Sequence, residues 1–134
     1  MNKKDTLKEH GVVAFRKQIK EAGGLIDAQQ VAELLGTTPD AVRKRDQRGG
    51  LLSVSLGEGS NYPVWQFDET GVIDDFPEVM KMLDTESPVS IFRFFLTYDE
   101  NLKKNPIEAL KGGDTIELEM VYLLAKQFNQ QVAR

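Results

Sequence analysis

Residues 25–52, LIDAQQVAELLGTTPDAVRKRDQRGGLL, read as two short helices joined by a tight turn. Val31, Ala32, Leu34 and Leu35 recur at the three-to-four-residue interval that gathers apolar groups on one helical face, so a helix is predicted from Ala28 to Leu35. Gly36 ends it, because glycine enters the left-handed backbone region without strain. Thr38 then offers its hydroxyl to the free N–H groups of the next turn, and Pro39 takes the first helical position, where its missing N–H costs nothing. A second helix follows from Pro39 to Arg48.

On that second helix Ala41 and Val42 are the only aliphatic anchors. Val42 facing the first helix turns Arg43, Lys44 and Gln47 outward as one stripe, with Arg45 and Arg48 on its flanks. Arginine and lysine reach guanine edges or phosphates and glutamine pairs with adenine, so the stripe holds the groups that major-groove contact needs. Thr37 and Thr38 at the turn join Arg43, Lys44, Gln47 and Arg48 as candidate DNA contacts. A solvated cationic face on an ordinary helical hairpin is the competing reading of the same charges.

Beyond Gly49-Gly50, the stretch Leu51 to Leu56 is strand-like, Gly57 to Asn61 is a turn cluster, and Tyr62 to Phe67 is a second apolar run. This order predicts a β-hairpin whose tip residues Ser60 and Asn61 reach a DNA backbone, with Trp65 and Phe67 packed beneath it. Residues 26–67, with VAELLGTTPDAVRKR, then RGGLL, then a hairpin, resemble the excisionase and MerR-like winged helix-turn-helix domains. The resemblance implies a DNA-binding domain. Asp46 departs from it, standing where such recognition helices usually carry an apolar or aromatic residue. Lying among cations, it is open to two readings, a pair with Arg43 or a weakened DNA contact.

With 134 residues and 40% apolar content the chain is long enough for one or two small cores and too short for a large enzyme fold. There is no cysteine, which excludes a disulfide scaffold, a thiolate metal site and a cysteine nucleophile. No apolar run is long enough to span a membrane and the first residues lack an apolar signal core, so a cytoplasmic protein with no membrane partner is expected. The net charge of −4 is unevenly spread: residues 1–62 hold 10 Lys/Arg against 8 Asp/Glu, and residues 63–134 hold 7 against 13. That asymmetry suggests a nucleic-acid-facing first half and an acidic second half with another task.

Upstream, Val12, Phe15, Ile19 and Ala22 follow a helical interval that Gly23-Gly24 closes, and this helix is expected to pack on the winged domain. His10 is the only histidine and has no paired ligand or nucleophile beside it, so no metal, cofactor or catalytic role is assigned. The paired carboxylates Asp74-Asp75 and Asp99-Glu100 fall in a linker and a turn, where solvation is the expected role, and no enzyme is read.

The stretch FDETGVIDDFPEV reads as an acidic linker, after which the chain turns helical. Phe76, Val79, Met80 and Leu83 form one stripe. Ser87-Pro88 opens a helix with Ile91, Phe92, Phe95 and Leu96, and Asn105-Pro106 opens another with Ile107 and Leu110. Asp114 begins the last, its stripe expected at Ile116, Met120, Leu123, Leu124 and Phe128.

Within this helical half, residues 94–125 resemble the C-terminal toxin-binding domain of bacterial antitoxins of the Xre, MbcA and ParS group. The matching residues are Phe95-Leu96-Thr97, Leu102, Pro106-Ile107-Glu108-Ala109-Leu110, Gly113-Asp114 and Leu123-Leu124-Ala125. The resemblance implies a partner surface at Tyr98, Leu102, Lys103, Lys104, Pro106, Glu108 and Asp114.

The chain is thus expected to be mainly α with a small β-hairpin: a winged helix-turn-helix with its N-terminal helix in residues 1–70, then a small helical bundle for dimerisation or partner binding in residues 71–134. The expected function is a DNA-binding transcriptional regulator, the antitoxin of a type II toxin-antitoxin pair, acting as a homodimer on double-stranded DNA and on a cognate toxin. The alternatives are a phage-type DNA-handling factor, either an excisionase or a small packaging subunit, and a protein-interaction module with a vestigial helix-turn-helix.

Overall fold

The computed structural model describes residues 13–57 and 59–132; His10, Val12 and Glu58 lie outside them. It is mainly helical, with seven helices among the described residues and two small antiparallel sheets. Helix α1, described over 13–21, leads into strand β1 (Leu25–Ile26), then α2 (Ala28–Leu35) and α3 (Pro39–Gln47). Strands β2 (Val54–Ser55) and β3 (Ser60–Pro63), a 3₁₀ turn at Val64–Gln66, and a second hairpin of β4 (Phe67–Asp68) and β5 (Gly71–Val72) follow. Helices α4 (Phe76–Leu83), α5 (Pro88–Leu96), α6 (Pro106–Gly112) and α7 (Thr115–Val132) complete the chain.

The expected punctuation sets the helix ends. Asp27 and Gln30 form a capping box on α2, and Gly36 closes that helix at φ +68°. Thr38 Oγ1 accepts the Ala41 N–H at 3.2 Å at the start of α3. Ser87 caps α5, Asn105 forms a capping box with Glu108 on α6, and Asp114 Oδ1 accepts the Glu117 N–H at 2.9 Å in the first turn of α7.

Strand β3 is central to the first sheet, with Leu25 opposite Pro63 on one side and Val54 opposite Asn61 on the other. Sequence alternation suggests that the second arm of the hairpin runs from Tyr62 to Phe67. The ladder instead occupies Ser60–Pro63, and the chain then coils through the 3₁₀ turn. Proline has no N–H to donate at that point, and the job of bridging the two arms passes to a side chain. Gln66, fully buried, accepts the Leu52 N–H on Oε1 at 2.9 Å, and its Nε2 donates to the Leu52 carbonyl at 2.9 Å and the Pro63 carbonyl at 3.0 Å.

Two hydrophobic clusters lie on either side of this segment. The smaller joins Ala28, Val31, Ala32, Val42, Leu51, Tyr62 and Phe67. The larger takes Phe15 and Ile19 of α1, Leu52, Val54 and Trp65 of the middle segment, and the inner faces of α4 to α7. Trp65 sits among Phe76, Phe92 and Phe95 with ring centroids 5.5–5.8 Å away, and Phe15 meets Phe92 edge to face at 5.1 Å. Helix α1 therefore packs on α5 and on the hairpin tip, where Arg16 donates to the Leu56 carbonyl at 3.2 Å, and the larger cluster runs across residue 70.

The stretch read as a linker is also part of the fold. Asp68 Oδ1 accepts both the N–H and the hydroxyl of Thr70, which holds its carboxyl below the usual carboxylate range and tightens the β4–β5 turn. Ile73 is buried in the larger cluster, and Val72 packs against both clusters. In α7 the buried residues are Val121 and Ala125, while Ile116 and Leu123 of the expected stripe are exposed. Met120, Leu124 and Phe128 are half-buried between those two faces, so the helix is rotated from the phase its leucines suggest.

Replacing Gln66 by leucine leaves the Leu52 N–H and carbonyl without their partner inside the protein, where unpaired polar groups cost about 1–3 kcal/mol each. Gln66→Leu is expected to lower unfolding free energy by about 3 kcal/mol or more in urea titration, whereas an unchanged midpoint would mean that water reaches Leu52.

Candidate nucleic-acid interface

Helix α3 buries a single side chain, Val42, which is 1% exposed against α2. Every other long side chain of the helix is therefore turned toward its surface. Arg43, Lys44, Arg45, Gln47 and Arg48 are all exposed. The expected outward stripe of Arg43, Lys44 and Gln47 is present.

Gly49 and Gly50 then fold the chain back under the helix. Gly50 donates its N–H to the Arg45 carbonyl at 2.9 Å, and a β-carbon there would lie 3.0 Å from Arg45 Cγ and 3.2 Å from that same oxygen, so any larger residue would have to displace Arg45 by a few tenths of an ångström. The reversal delivers Leu51 into the smaller cluster below α3 and Leu52 into the larger one.

Between α3, the start of α2 and the β2–β3 hairpin lies a cleft of about 570 Å³. Arg43, Gln47, Ser60 and Asn61 line it together, along with the acidic Asp27 and Asp46. Four of the candidate DNA contacts are thereby brought to one surface. Lys44 and Arg48 lie on the exposed face of α3 outside the cleft lining, and Thr37 is exposed at the α2–α3 turn. Thr38 also stays outside the lining and spends its hydroxyl oxygen on the α3 cap.

Asp46 does not pair with Arg43. Its Oδ1 accepts the Ser53 hydroxyl at 3.0 Å and its Oδ2 accepts the Tyr62 hydroxyl at 3.2 Å, so one carboxylate ties α3 to both arms of the hairpin. Arg43 bonds Asp40 instead, at 3.1 Å on the solvent side. With side chains 58% and 86% exposed, that pair contributes little and yields easily to a phosphate. The partners of Asp46 lie 7 and 16 residues away in sequence, beyond the reach of any helical-spacing argument.

The partner residues proposed by resemblance fare unevenly. Leu102 is 3% exposed and Pro106 is also buried, both within the helical half, although Pro106 still lines a surface cavity beside Tyr98. Tyr98, Lys103, Glu108 and Asp114 are exposed, although Glu108 and Asp114 each serve a helix start. Lys104 bonds Glu117 at 2.9 Å, an interaction that raises its pKa.

Among the described residues no group of three or more His, Asp or Glu side chains could hold a metal, and no helix is long and apolar enough to cross a membrane.

No protein-family model and no curated protein match the chain. The fold is similar to the NMR structure of Rv2175c, with a TM-score of 0.66 and 22% identity, over 78% of this chain and 80% of that chain. At this identity the likeness is one of fold.

The Asp46–Tyr62 contact carries a pH signature. Burial of the ring, then the Asp46 charge and its hydrogen bond, push the Tyr62 phenol up to about 12 from its ordinary 10.0. The folded state thus holds this proton more tightly than the unfolded chain. Its stabilisation is complete below pH 10 and is lost as pH rises toward 12. In alkaline denaturation the wild type is expected to lose stability through that interval and Tyr62→Phe to lose less of it. Equal losses would separate Tyr62 from the alkaline transition.

Proposed function

We propose that this protein binds duplex DNA as a winged helix-turn-helix, with α3 in the major groove and the β2–β3 hairpin as a wing along the adjoining backbone. The observation that carries the reading is the convergence of Arg43 and Gln47 on α3 with Ser60 and Asn61 on the hairpin around one open cleft. Gln47 and the cations have the donors that base edges and phosphates accept, and Ser60 and Asn61 supply neutral polar contacts of the kind that fix register on a backbone. The Asp46 bonds support the reading because they hold α3 and the hairpin in one fixed relation. The acidic total charge suits a selective reader better than a protein that coats DNA.

Transcriptional regulation and an antitoxin role extend this proposal. The antitoxin extension is supported by the resemblance of residues 94–125 and by the exposure of Tyr98 and Lys103. If the neighbouring gene encodes a toxic product, co-expression of this chain is expected to relieve the toxicity. Toxicity that persists removes the antitoxin role and leaves DNA binding intact.

Binding to duplexes from the protein's own upstream region, followed by fluorescence anisotropy, is expected to weaken steeply as salt rises. Arg43→Ala with Lys44→Ala should reduce affinity and flatten the slope of log K against log salt by about one to two units, since each phosphate contact contributes about 0.9. Both side chains are exposed, so the fold is expected to persist. Absence of any complex at low salt, or a double variant that binds like the wild type, would overturn the assignment of α3.

A further inference from the structure

Helix α7 carries an outward face that no other described element covers. Val121 and Ala125 are buried, while Ile116 is 70% and Leu123 is 55% exposed. Ile116, Glu119, Leu123 and Lys126 follow each other at intervals of three, four and three residues, so they form one line along the helix. Half-buried Met120 widens the line on one side.

Among the described residues the charges in this line have no ion-pair partner. The positions three and four residues from Glu119 hold Thr115, Ile116, Tyr122 and Leu123; those around Lys126 hold Tyr122, Leu123, Asn129 and Gln130. None is a counter-ion. The ion pairs among the described residues are Arg43–Asp40 and Lys104–Glu117, so neither Glu119 nor Lys126 is engaged elsewhere in them.

Glu119 and Lys126 flank Leu123 at nearly equal distances, about 6 Å before it and about 4.5 Å after it along the helix axis. A two-fold axis beside Leu123 therefore carries the acid of one helix onto the base of another. A parallel pairing in register would set glutamate against glutamate and lysine against lysine, which the charges oppose.

We propose that the outward face of α7 is a self-complementary interface, on which a second copy of this chain packs its own α7 antiparallel, Leu123 meeting Leu123 and Glu119 of each copy facing Lys126 of the other. Such a contact is isologous, so every side chain in it counts twice. It covers the exposed Ile116 and Leu123, the largest apolar side chains on that side of the helix. The inference stands apart from the DNA reading, since α7 contributes nothing to the cleft beside α3.

The test is the mass of the full chain by sedimentation equilibrium across a concentration series. The expected result is a monomer–dimer equilibrium that Leu123→Asp abolishes, with circular dichroism confirming that this exposed site leaves the helices formed. Glu119→Lys alone and Lys126→Glu alone should each raise the dimer dissociation constant by roughly tenfold, as two exposed pairs turn repulsive at once. An equimolar mixture of the two variants should regain the wild-type dimer, because each copy then supplies what the other lacks. The chain carrying both reversals should regain it as well. A strictly monomeric wild type overturns the proposal, as does a dimer indifferent to Leu123→Asp or a pair of charge variants whose mixture stays monomeric.

Discussion

The Gln66 amide accepts the Leu52 N–H and donates to the Leu52 and Pro63 carbonyls, and this bridge fixes the segment from which both hydrophobic clusters hang. Along its two arms, neighbouring residues part company: Leu51, Tyr62 and Phe67 turn to the cluster under α3, and Leu52, Val54 and Trp65 turn to the helical half. With one side of the pair supplied by a side chain, the arms stay bonded where Pro63 and the 3₁₀ turn break the ladder. The aromatic group around Trp65 then connects that segment to α1, α4 and α5.

Helix α3 has a cost that follows from its composition. A helix that keeps its cations at the surface has few apolar side chains left for packing, and Val42 is its only buried one. Its position relies on the cap at Thr38, the Gly50 reversal, and the Asp46 bonds to Ser53 and Tyr62. A residue that looks out of place among cations is thus a positioning group, holding the exposed stripe in a set relation to the hairpin. The charged surface and the buried side of the helix impose opposite demands on composition, and polar anchors reconcile them.

The helical elements were the legible part of the sequence, because caps and breakers act locally. Thr38-Pro39, Ser87-Pro88 and Asn105-Pro106 each state where a helix begins, and the exposed Arg43, Lys44 and Gln47 follow from the single anchor at Val42. Gln66 was illegible because one amide within an apolar run gives no periodic signal, and its partner is 14 residues away. The partners of Asp46 were hidden for the same reason. In α7 the chain offers apolar groups on nearly every side, so Ile116 and Leu123 appear as core by spacing alone, and only the packing of Val121 and Ala125 fixes which side faces inward. The acidic stretch after Phe67 looked like a linker because composition does not reveal that Asp68 and Thr70 close a turn.

The central claim is that α3 and the β2–β3 hairpin form one DNA-contacting surface. Amide NMR of the full chain, titrated with a short duplex at low salt, tests it residue by residue. The account predicts perturbations that concentrate at Arg43, Lys44, Gln47, Arg48, Ser60 and Asn61, reverse on added salt, and leave the amides of α4 and α6 in place. Perturbations centred on the helical half with α3 silent would contradict it, as would a spectrum unchanged by any duplex.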